Sequence, residues 1–208
     1  MRSDVVIIAR LDRPPHIEST GGLAARRTEP DTVHLVSSAA TPLGGDSIHI
    51  RLVVEPGATL RLRTVAATVT LPGRVTAESH ATWTVDVAGE LDLDPEPTIV
   101  AATSRHFATT VINLTDGGKL RFVERVQIGR TGERQGFWSG SLHADIDGRP
   151  LLRHRVELGN GSLADDEIAA PAASISEFHY PRSDVGAAGE TLALAGGGCL
   201  TTWQGHRL

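Results

Sequence analysis

The chain has 208 residues, 40% of them apolar and 4% aromatic, with a formal charge of −5 and a single cysteine. That length allows one domain with a real core, and so few aromatics predict a core of aliphatic and small side chains. The negative balance, with no basic run, argues against a nucleic-acid partner. Cys199 alone excludes an internal disulfide framework or a multi-cysteine zinc site. The longest early apolar run, Val5–Ala9, is too short for a membrane span or a signal-peptide core, so a soluble, cytoplasmic protein is expected.

The stretch Pro42–Leu62 is the most informative. Gly44-Gly45-Asp46 reads as a tight turn beside a carboxylate, since glycine takes backbone angles closed to other residues. Ser47–Val53 then alternates, with Ile48, Ile50 and Leu52 on one face, which is the period of a half-buried strand. After Pro56-Gly57-Ala58, Leu60 and Leu62 alternate with Arg61 and Arg63. The same unit of strand, glycine turn and strand returns at Gly89, Gly117 and Gly148, at spacings of 32, 28 and 31 residues. A period near 30 suggests stacked coils or layered hairpins, with an ordinary sandwich as the plainer alternative. Helical signals are few. Ser162–Ala173 reads as one short helix, capped by Ser162 and stopped by Pro171, and the glycine-rich Gly186–Gly198 reads as loop. The fold expected is mainly β, with layered antiparallel or β-helix-like sheets and one or two short helices. A single domain over 1–208 has its core in 33–158 and a loop-rich region in 159–208.

Catalytic motifs are missing. Gly117-Gly118-Lys119-Leu120 lacks the spacing and the hydroxyl of a phosphate loop. Ser139 stands one place too late in Gly136–Gly140 for a nucleophile elbow. The nine histidines are scattered singly and form no ligand pair at short spacing. Nothing positive supports an enzyme.

Taken in order, several segments resemble the urease accessory protein UreD (UreH) family. They are Gly44-Gly45-Asp46 opening a strand, Val54-Glu-Pro-Gly-Ala58, Asp94-Pro-Glu-Pro-Thr-Ile-Val100, and Phe122-Val-Glu-Arg125. Then come Ile128-Gly-Arg130, Thr131-Gly-Glu133, Phe137, and Gly148-Arg-Pro-Leu-Leu152 with Arg155. The resemblance runs from about Val33 to Leu158, and its order rather than any one motif is specific. Three features depart from the family pattern. Val65–Arg74 carries neither the usual lysine nor the usual aromatic, His154 stands where an acidic residue precedes the arginine, and the chain stops earlier than most members.

The resemblance implies a non-enzymatic scaffold that binds apo-urease and UreF and UreG partners and assists nickel insertion. No cofactor would be held tightly, and nickel would bind only in passing, for which carboxylates and carbonyls suit better than thiolates. Asp46, Glu124 and His154 are the residues the resemblance marks for such a path. Asp46 has a plainer role as an acceptor within its own turn, and Glu124 as one half of a surface ion pair. Gly44, Gly45, Arg130 and Glu133 are expected to shape turns, and Cys199 to be a small buried residue. Two other classes compete. A β-solenoid hydrolase or lyase would stack carboxylates at the repeat period, and Asp86, Asp116, Asp145 and Asp147 are the candidates. A purely structural repeat protein would need no polar interior.

Overall fold

A computed structural model describes residues 1–133, 135–163, 165, 170–182 and 189–208. The alternating segments become β1 (Arg2–Arg10), β2 (Arg13–Thr20), β3 (Leu23–Glu29), β4 (Thr32–Ser37), β5 (Ser47–Val54), β6 (Thr59–Thr64) and β7 (Thr68–Thr70). Next come β8 (Glu78–Val87), β9 (Glu90–Leu93), β10 (Thr98–Val100), β11 (Arg105–Leu114) and β12 (Lys119–Ile128). The last are β13 (Phe137–Ile146), β14 (Arg149–Gly159), β15 (Ala173–Tyr180), β16 (Glu190–Ala193) and β17 (Cys199–Gly205).

They build two facing sheets. The first has the order β14-β13-β11-β8-β5-β1-β2, and the path of the second is β16-β17-β15-β12-β9-β6-β4-β3, with β10 attached to β12 and β7 to β10. In the middle of each sheet neighbouring strands run parallel, and antiparallel pairs finish the flanks. The parallel pairing has a simple cause. The turns at Gly57, Gly89 and Gly117 carry the chain from the first sheet to the second instead of folding it into a hairpin. Each coil therefore lands beside the previous one, so that Val54, Val87, Leu114 and Ile146 line up in register. Thr59, Glu90 and Lys119 line up likewise in the second sheet. Of these four glycine turns, the one at Gly148 alone makes a hairpin, β13–β14.

Stacking the turns brings backbones very close. Ala88 N and Gly89 N both donate to the Val54 carbonyl, at 2.8 and 3.2 Å. A Cβ on Gly89 would lie 2.2 Å from the Ala58 carbonyl oxygen, so this turn admits only glycine. The inward faces bury an aliphatic core. Leu52, Leu60, Leu62, Leu91 and Leu93 are at most 1% exposed, and each burial contributes about 2–3 kcal/mol before entropy is counted. A second, smaller cluster (Val100, Val126, Ile128, Trp138 and Leu158) lies apart from it.

Among the described residues there is no helix. Within the segment expected to hold one, Ser162–Ala173, positions 164 and 166–169 lie outside the described residues, Ser162–Leu163 is turn or bend, and Ala173 already starts β15. Part of the glycine-rich tail, expected to be loop, forms β16, because Glu190–Ala193 finds the free edge of β17. No helix of the described residues is long and apolar enough to cross a membrane.

Candidate functional site

The two apolar clusters leave a polar gap between the sheets. It arises where the second sheet is interrupted: β9 ends at Leu93 and β10 begins only at Thr98, whereas β12 runs unbroken and pairs with both. Facing the interruption is a cavity of about 60 Å³, lined by Thr98, Glu124, Trp83, Thr110, His106 and Trp138 among others. The space has room for water, and its walls carry polar groups to hold it.

Alternation along β12 explains why a carboxyl faces inward. Leu120, Phe122, Glu124, Val126 and Ile128 share one face, and four of the five are buried core residues. No donor among the described residues reaches the Glu124 carboxyl, and burial pushes it up to about 7. At neutral pH the group is therefore poised between its acid and its anion. Across the gap, His106 is 3% exposed, its Nδ1 lies 2.9 Å from Ser79 Oγ, and burial, helped by the charge of His80, pushes it down to about 4. His154 also points inward, with Nε2 3.3 Å from Ser176 Oγ, and burial lowers its pKa. Ser176 is the direct register partner of Glu124 across β12–β15. Glu124 and His154 thus flank one serine inside the molecule.

Asp46 lies elsewhere. It closes the turn before β5, accepting 2.9 Å from Thr41 Oγ1, 2.8 Å from Leu43 N and 2.5 Å from the amine of Met1. Burial alone would raise its pKa. The bonds from Leu43, the amine and Thr41 outweigh that and hold the carboxyl below its usual range. Gly44 packs so closely on the next coil that a Cβ would lie 1.9 Å from the Thr76 carbonyl oxygen, and Gly45 has a φ of +92°. Glu133 pairs with Arg130, and its Oε2 accepts from Ala102 N at 2.9 Å and Arg130 N at 3.1 Å. These bonds, the Arg130 guanidinium first, hold its pKa down to about 2 and fix the loop at the rim of a wider cleft. Cys199 is 2% exposed.

No group of three or more His, Cys, Asp or Glu among the described residues is placed to hold a metal ion. Two of the three residues marked for a nickel path, Glu124 and His154, come together around Ser176; Asp46 is bound up in its own turn. Sequence reasoning missed His106, Trp83 and Trp138 of the cavity and Ser79 and Ser176 beside it, because only strand pairing between distant segments brings them together. The carboxylates near the turns do not form a bare acidic stack. Asp86 and Asp145 share a row with Asn113 on the outer face of the first sheet, where Arg51 and Arg153 neutralise them at 2.8 and 2.5 Å. Asp147 Oδ1 accepts from Asp116 N at 3.2 Å, a turn contact.

The family described as UreD urease accessory protein matches residues 13–178. A urease accessory protein UreD 1 of Saccharopolyspora erythraea is 38% identical over 191 residues, covering 87% of this chain and 74% of its own length. UreD proteins of Frankia alni and Frankia casuarinae are 42% and 33% identical, covering 76% and 96% of this chain. This chain spans 61% of the former and 76% of the latter. The family is one of accessory proteins and not of catalysts, and the chain belongs to it: it is a member of the UreD urease accessory protein family.

Proposed function

We infer that this chain is a urease maturation factor, a scaffold that binds apo-urease together with UreF-type and UreG-type accessory proteins in the cytoplasm and assists nickel insertion. The family match over residues 13–178 carries this reading. The interior supports the nickel part of it. A divalent cation in transit needs oxygen ligands that can exchange with its water shell, and it must not meet a closed set of strong donors. Glu124 offers one unpartnered carboxyl in a water-sized space, with the hydroxyls of Thr98, Thr110 and Ser176 nearby and no thiolate among the lining residues. His154, neutral by burial, adds a nitrogen donor beside Ser176. The neutralised row of Asp86 and Asp145 offers no comparable support for a hydrolase or lyase.

The test is deletion of the gene in a ureolytic host. Urease subunits should still be made, yet be nickel-poor and inactive, and tagged protein should retain apo-urease and a UreF-type partner in pull-down. Nickel-loaded, active urease in the deletion strain overturns the reading.

A further inference from the structure

We propose that the bend Asp94–Pro97 is the mouth of the internal cavity and that Arg125 closes it, acting as a positioning residue that sets how readily water and small cations reach Glu124. The mouth follows from geometry; only its use by cations rests on the nickel-passage reading above.

The bend is where the second sheet opens. Pro95 and Pro97 have no N–H to give to a ladder, so the strand cannot run straight from β9 into β10. Pro95 and Glu96 line the cavity together with Glu124 and Arg125, and Glu96 is exposed, so the cavity reaches the surface here. The bend is pinned from both sides. Glu96 N donates to Thr64 Oγ1 at 2.9 Å, at the end of β6 in the neighbouring coil. Arg125 Nη1 donates to Asp94 Oδ1 at 2.5 Å and to the Pro95 carbonyl at 3.1 Å, while Arg121 Nη1 donates to Asp94 Oδ2 at 2.8 Å.

One guanidinium therefore does three things at once. It spans the bend beside the cavity, where Arg125 is itself a lining residue. It occupies a carboxylate oxygen and a carbonyl oxygen, the ligand types an entering divalent cation would seek. It also places a positive charge at the entrance. Withdrawing it would free both oxygens and unblock the opening in a single movement.

The experiment uses the full chain carrying Trp203→Phe, which leaves Trp83 and Trp138, both lining the cavity, as the emitting tryptophans. Quenching of their emission is measured with acrylamide and with nickel(II) chloride alone. Arg125→Ala should raise both quenching slopes severalfold, and Asp94→Asn, which removes the anchor and leaves the stem, should raise them less. Arg125→Lys, which keeps the charge and one bond, should fall near the parent. Arg61→Ala breaks the exposed pair with Asp31 on the same sheet and should change neither slope. Unchanged slopes in a folded Arg125→Ala protein overturn the proposal, as do slopes that rise equally in Arg61→Ala. A rise with acrylamide but not with nickel keeps the mouth and refutes the cation passage.

Discussion

Glu124→Gln should stabilise the protein, and only above mildly acidic pH. Moving this carboxyl from 4.5 to about 7 corresponds to roughly 3 kcal/mol, at ~1.36 kcal/mol for each tenfold change in proton affinity. The folded-state value is raised, so the protonated form is the one the fold prefers. Stability is therefore full below 4.5, where the group is protonated folded and unfolded, and falls as pH rises through about 7. Above that it is ionised in both states, and the whole cost of burying the charge is present. Glutamine keeps the shape and never ionises, so it escapes the cost. Urea unfolding of parent and variant across this pH range gives the check, because other titrating groups cancel in the difference. The variant's advantage should be near zero at the acid end, grow on the order of 3 kcal/mol, and level off above neutrality. A difference that does not vary with pH refutes the placement of Glu124 as a half-buried, unpartnered carboxyl facing the cavity.

His106→Gln should act on the opposite limb. His106 is depressed from 6.5 to about 4, so the parent loses stability as pH falls from 6.5 towards 4, and the variant should lose less in an acid titration followed by circular dichroism. Asp46→Ala leaves Leu43 N–H and the buried Thr41 hydroxyl without their acceptor, a loss of about 1–3 kcal/mol per group. Soluble yield, pull-down of urease subunits and urease activation should then fall together, and loss of activation with yield and pull-down intact would return Asp46 to the nickel path. Gly89→Ala should lower the melting temperature far more than Gly148→Ala. At Gly148 an added Cβ meets nothing and only the left-handed backbone costs about 1–2 kcal/mol.

The period of the chain points to repeated layers and leaves stacked coils and a sandwich both open. Ile48, Ile50 and Leu52, then Leu60 and Leu62, alternate as half-buried strands must, and turn glycines every 28 to 32 residues imply a repeating layer. Alternation also fixes, from sequence alone, that Glu124 shares a face with Phe122 and Val126. What alternation cannot state is the pairing partner, because a period of two is the same for a hairpin and for a coil. Only the tertiary structure decides that Gly57, Gly89 and Gly117 pass the chain to the opposite sheet and that Gly148 does not. Nor does the sequence say that the bend at Asp94–Pro97 lies over Glu124, or that Ser176 is its neighbour 52 positions along the chain. The character of each residue is local, but the cavity belongs to the stack: it exists where successive coils of both sheets meet, and burial there raises the Glu124 pKa and lowers that of His106.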